Sequence, residues 1–238
     1  MFNNKLRVNP SDVSMDGRMK LHSLLDYFQD TAGLAVENIE GTATELFARG
    51  YAWVLAKYEI EFFGKLPALD EEFTISTYHD PSHGYNTLRM FHVRQGDNEL
   101  VRAKSSWLLV DVKSGRAVKA ASHLPEISNG DTCPITPEFR EIPEIAQPVS
   151  AKKIEVTWHS LDYNGHVNNA RYFEWIYDSL EPDVGVRMKR ISASFRSGAK
   201  LGEVITLESG RAENAVIFSI KREGIKKASA NFSVELGV

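Results

Sequence analysis

The fifteen residues Leu161 to Trp175, LDYNGHVNNARYFEW, set Asp162, Asn164 and His166 at alternate positions around a glycine and then turn amphipathic. A carboxylate, an amide and an imidazole in that order could close a turn, ligate a metal or run acid/base chemistry. A calcium loop opening at Asp162 needs a glycine at its sixth position and a bidentate acid at its twelfth; Val167 and Phe173 stand there. A zinc site needs another ligand nearby, and His159, seven residues before His166, has no defined direction. No metal is expected. Thiol catalysis has only Cys133 to offer, flanked by Thr132 and Pro134 with no neighbour that would lower its pKa. Acid/base chemistry remains. In a turn before a helix, Asp162, Asn164 and His166 can converge on one pocket, with the helix's first N–H groups available to an oxyanion. Gly165 permits a backbone that a larger residue resists, and Asn168 or Asn164 can cap the helix.

The elements that must hold this turn repeat along the chain. KLHSLLDYFQDTAGLAVENI carries Leu21, Leu24, Leu25, Phe28, Ala32 and Ala35 at helical spacing, which predicts an amphipathic helix. A short second helix is expected over Ala43 to Arg49, because Thr42 and Glu45 have capping-box spacing and Gly50 provides a stop. The period then changes. WVLAKYEIEFFG, EEFTISTYHD, YNTLRMFHVRQ and ELVRAKSSWLLVDV read as antiparallel strands joined by short turns. The following stretch, 121–150, is rich in proline and reads as a linker. Beyond it the pattern restarts: a strand at KKIEVTW, the opening turn, a helix to about Leu180, and strands at KRISASFRS, EVITLESG, AVIFSIKRE and KKASANFSVEL.

Laying Gly17 on Gly165 aligns MDGRMKLHSLLDYFQD with YNGHVNNARYFEWIYD, ending with Asp30 on Asp178. A second register pairs Phe63 with Phe195, Leu69 with Leu201 and Glu71 with Glu203. This is an internal duplication. Ser14, Asp16 and Arg18 fall opposite Asp162, Asn164 and His166, so the triplet belongs to one repeat, where capping alone would lead to closer parity. A sheet with one apolar face needs a cover, and one long helix per repeat supplies it. The expected fold is α+β: a tandem, or double, hotdog, with repeats at 1–120 and 151–238 that pair with one another.

Composition places the chain among ordinary globular proteins. A single cysteine excludes an internal disulfide and suits a reducing cytoplasm. No apolar run approaches the roughly 18 residues that cross a bilayer, so no membrane association is expected, and the start lacks a signal-peptide core. Net charge is −4, yet residues 151–238 hold 13 Lys and Arg against 11 Asp and Glu. That bias is too weak for a nucleic-acid partner, which would show a dense basic stripe. It would suit an acidic protein.

DYNGHVNNARYFEW resembles the active-site segment of the acyl-acyl carrier protein thioesterases, and LLDYFQDTAG, WVLAKYEIEF and SSWLLVDVKSGR resemble that family's first helix and strands. The resemblance implies hydrolysis of a fatty acyl thioester on a carrier protein, with Asp162, Asn164 and His166 as the catalytic set. It implies no cofactor beyond the phosphopantetheine that the substrate carries, and acyl carrier protein as partner; a homodimer of the whole chain is left open. The acyl chain would lie in the N-terminal repeat, against Leu25, Phe28, Gln29, Ala32 and Trp53, with Asn168 also contacting substrate. Ordinary core packing explains the apolar members of that set equally well. Arg187, Lys189, Arg190, Lys221, Arg222, Lys226 and Lys227 could dock an acidic carrier, or be solvated strand surface. Plant members carry a Glu-Cys pair where the register places Gly198 and Ala199; Glu174 and Glu203 are the nearest acids, and surface placement is expected of both. The rival readings are an acyl-CoA thioesterase, a hotdog hydratase or dehydratase with an Asp-x-Asn-Pro-x-His motif, and a non-catalytic acyl-binding regulator.

Overall fold

The structure, a computed structural model, describes residues 1–37, 42–124, 137–180, 187–225 and 227–237. Cys133 and Lys226 lie outside these residues. The chain divides into two compact units, Met1–Glu138 and Phe139–Val238.

The first unit contains strand β1 (Phe2–Arg7), helices α1 (Leu21–Leu34) and α2 (Ala43–Ala48), strands β2 (Tyr51–Phe62), β3 (Glu72–His83), β4 (Asn86–Gln95), β5 (Asn98–Asp111) and β6 (Arg116–Val118), and the short helix α3 (Ala120–His123). β1 pairs with β3, β3 with β4, β4 with β5 and β5 with β2, all antiparallel, and β6 adds to β5. Along β5 the buried positions Val101, Ala103, Ser105 and Leu109 alternate with more exposed ones, the period-two signature of a sheet with one covered face. The cover is α1. Of its buried residues, Leu21, Leu24, Leu25, Phe28 and Thr31 share one face, and Ser23 lies beside it. Phe28 stacks on Phe91 of β4 with ring centroids 4.4 Å apart.

α1 is shorter than its periodicity suggests. The buried face ends at Thr31, Gly33 follows, and 35–37 form a turn, so no packing supports further helix. α2 forms as expected: the Thr42 hydroxyl accepts from Glu45 N, and the Glu45 carboxylate accepts from Thr42 N. β1 was not expected from its composition, FNNKLR, which is polar and lacks β-branched residues. Its inner side nevertheless engages the helix, with Asn4 Nδ2 donating to Thr31 Oγ1 at 3.1 Å.

The second unit repeats this order with β7 (Ser150–Glu155), α4 (Asn169–Tyr177), β8 (Met188–Phe195), β9 (Val204–Ala212), β10 (Ala215–Arg222) and β11 (Ala230–Leu236). β7 pairs with β9, β9 with β10, β10 with β11 and β11 with β8. Apart from β6, this is strand for strand the connectivity of the first unit, with β7 in the place of β1 and α4 in the place of α1. Each unit is a hotdog. Phe173 of α4 packs edge-on to Phe232 of β11, centroids 5.2 Å apart, and tilted against Phe195 of β8. Residues 137–149 form neither helix nor strand. Ile145 there lies against Gly210 of β9, where a Cβ would meet Ile145 Cγ2 at 2.8 Å.

Candidate active site

The turn before α4 is closed by its own backbone. Leu161 bridges Val167, Asp162 N donates to His166 O at 2.7 Å, and Gly165 N donates to Asp162 O at 3.0 Å. Gly165 takes φ of +73°, a conformation that a Cβ disfavours. Asp162 Oδ1 accepts from the backbone N–H of Asn164 at 2.8 Å and of His166 at 3.2 Å. The carboxylate therefore acts on His166 through the main chain, and part of its role is to hold the turn.

The first unit contains the same turn without the same chemistry. Gly17 has φ of +74°, Val13 bridges Met19, and Ser14 N donates to Arg18 O. There the stabilising carboxylate comes from the opposite position. Asp16 Oδ1 accepts from Ser14 Oγ at 2.7 Å and from Arg18 N at 3.0 Å, and the Ser14 hydroxyl is the first cause of its lowered pKa. Moving the acid from the position of Asp16 to that of Asp162 leaves an amide, Asn164, where the first turn has its carboxylate. Asn164 Oδ1 is buried and, among the described residues, has no hydrogen-bond partner. An unsatisfied buried acceptor costs roughly 1–3 kcal/mol, and a catalytic role or a bound water is among the things that account for one.

Asp162, Asn164 and His166 are each half-buried. The His166 ring lies against the main chain of Gly198: a Cβ there would stand 2.9 Å from His166 Cβ and 3.0 Å from its Cδ2. The next residue, Ala199, is fully buried; its carbonyl accepts from Val167 N at 2.9 Å, and its N–H donates to the Tyr172 hydroxyl at 3.2 Å. Burial pushes the Tyr172 phenol up, which keeps it neutral. Asn168 caps α4, its Oδ1 accepting from Ala170 N at 2.8 Å, while Asn168 O accepts from Arg171 N. Two of the N–H groups expected for an oxyanion are thus satisfied by the cap.

The sequence matches the acyl-ACP thioesterase N-terminal domain over residues 1–127 and the C-terminal domain of the same family over residues 144–233. The chain belongs to the acyl-ACP thioesterase family. It is similar to a chloroplastic acyl-[acyl-carrier-protein] hydrolase, FATB2, of Cuphea viscosissima, at 24% identity over 88% of this chain and 54% of the relative. The chain spans about half the length of the curated relatives it matches. Among solved structures it is similar to an acyl-ACP thioesterase from Bacteroides thetaiotaomicron, with a TM-score of 0.84 and 22% identity over 98% of this chain and 96% of the other. It is also similar to the 12:0-ACP thioesterase from Umbellularia californica, with a TM-score of 0.84 and 14% identity over 99% and 96% of the two chains. At such identities these likenesses establish the fold.

Within this thioesterase family member, both acids near the turn are engaged by arginines. Glu174 is bound by Arg171 at 2.6 Å. Glu203 takes both Nε and Nη2 of Arg222 and the backbone N–H of Lys200, and the guanidinium is the first cause of its lowered pKa. Glu71 does the same for Ala68 N in the first unit, so the position of Glu203 serves the fold. Of the basic candidates, Lys221 pairs with Glu208 and Arg222 with Glu203, while Arg190 shares Glu235 with Arg140.

The apolar candidates separate. Leu25 and Phe28 are sealed in the core of the first unit, while Gln29, Ala32 and Trp53 are half-buried. Trp53 packs against a cluster of Leu46, Leu109, Ala120 and Leu124. No helix among the described residues is long and apolar enough to cross a membrane.

Proposed function

We propose that this chain hydrolyses the thioester between a fatty acyl group and the phosphopantetheine arm of an acyl carrier protein, with His166 as general base. The observation that carries this reading is the buried, unpartnered Asn164 Oδ1 in the turn that presents His166. An acceptor without a donor is what a bound water or a substrate N–H would complete. Water donates one O–H to Asn164 and gives the other proton to the His166 imidazole as its oxygen attacks the thioester carbonyl carbon. Collapse of the tetrahedral adduct breaks the C–S bond. The imidazolium returns its proton to the sulfur, leaving fatty acid and free thiol. Asp162 fixes the turn and sets a negative charge beside it. No cofactor of the protein's own takes part.

Purified protein incubated with a panel of acyl carrier protein thioesters releases fatty acid, and acyl-CoA of the same chain is turned over with a lower kcat/KM. No release from any thioester overturns the proposal, and a preference for acyl-CoA moves the substrate to the coenzyme.

The double duty of Asp162 yields a second expectation. Asp162→Asn keeps an oxygen for the two backbone N–H groups and holds stability near that of the wild type. Asp162→Ala loses that acceptor and about 1–2 kcal/mol with it. Both lower hydrolysis, so urea unfolding beside initial rates separates the charge from the cap. Equal unfolding midpoints for Asn and Ala would show that the carboxylate does not hold the turn.

A further inference from the structure

We infer that Gly198, the Ala199 amide and the Tyr172 hydroxyl form a seat that fixes the His166 ring, making Gly198 and Tyr172 positioning residues for the proposed reaction. The two repeats differ at the matched positions. In the second unit the residues are His166, Tyr172, Gly198 and Ala199. In the first they are Arg18, Leu24, Leu66 and Pro67. The main-chain scaffold is the same in both: Val167 N donates to Ala199 O, and Met19 N donates to Pro67 O, each at 2.9 Å.

Beyond that one main-chain hydrogen bond, every part of the seat is absent from the first unit. Pro67 has no N–H to give, and Leu24 has no hydroxyl to receive one. Leu66 carries a side chain where Gly198 carries none, and the Arg18 guanidinium reaches over to the Leu66 carbonyl at 2.9 Å. In the second unit the missing Cβ of Gly198 is the space that the imidazole occupies. The contact is to His166 Cβ, Cγ and Cδ2, at 2.9, 3.1 and 3.0 Å from an ideal Cβ, so the root of the side chain would have to move and not a flexible tip. Gly198 is not in the left-handed region, so this glycine is explained by close approach and not by backbone conformation. The hydrogen bond from Ala199 N to Tyr172, which is itself fixed in α4 by edge contacts to Trp175 and Phe195, locks the seat to the helix that follows the turn.

The test reads the ring directly as well as the rate, because the inference rests on the function proposed above. In Gly198→Ala, kcat on an acyl carrier protein thioester falls about 10- to 100-fold, as a misplaced reacting group requires, while KM changes by less than about twofold. The His166 imidazole resonances, assigned by their loss in His166→Ala, shift, and the Tm stays within a few degrees of the wild type. Tyr172→Phe gives the same pattern with a smaller fall in kcat and serves alone if Gly198→Ala does not fold. Unmoved His166 resonances in a folded Gly198→Ala or Tyr172→Phe protein overturn the seat. Should His166→Ala keep its activity, the catalytic role of His166 fails, and the resonances still decide whether Gly198 and Tyr172 hold the ring.

Discussion

His166→Ala lowers kcat on an acyl carrier protein thioester by about 10²- to 10⁴-fold, the usual contribution of a positioned general base, and leaves the protein folded. The fold survives because the ring contributes little to the core. His166 is half-buried, and its backbone N–H and carbonyl, which bond to Asp162, are untouched by the substitution. Truncation also leaves no new buried charge. Rates measured beside the thermal unfolding curve check this, and wild-type turnover by the variant would remove His166 from the chemistry.

Phe28→Ala destabilises the protein by about 3–5 kcal/mol, the range for deleting a buried phenyl ring. Phe28 is fully buried, stacks on Phe91 and lies 6.4 Å from the Tyr58 ring, so its loss opens a cavity between α1 and the sheet. Tyr58 brings a hydroxyl into the same interior, and burial is the first cause that holds this phenol neutral. Denaturant titration reads the loss as a lower midpoint. A change below about 1 kcal/mol would mean that the ring lines an existing space instead of filling the core.

The alternation of the strands and the capping box of α2 were legible because both are local. Thr42, Glu45 and Gly50 specify a helix with no help from tertiary contacts, and the structure shows that helix. β1 was not legible locally, since its residues are strand formers only in the context of β3 and Thr31. Its counterpart in the duplication was the available signal: KKIEV precedes the second turn at the spacing at which NNKLRV precedes the first. At the site, the turn and its three polar residues could be read from spacing, but their division of labour could not. Whether Asp162 meets a ring or a backbone N–H is settled by a rotamer, and of the two asparagines that could cap the helix it is Asn168 that does so, accepting from Ala170 N. Gly198 looked like the absence of a catalytic acid; in the structure it is the surface on which a catalytic candidate rests.

The most direct test of the central claim is hydrolysis by Asn164→Leu, whose side chain has nearly the same shape and no oxygen. Because Asn164 Oδ1 is buried without a partner, removing it does not lower stability. The proposed role predicts that this folded variant loses at least about 100-fold in kcat on an acyl carrier protein thioester. Wild-type turnover by Asn164→Leu would contradict the claim that this turn binds and activates the water.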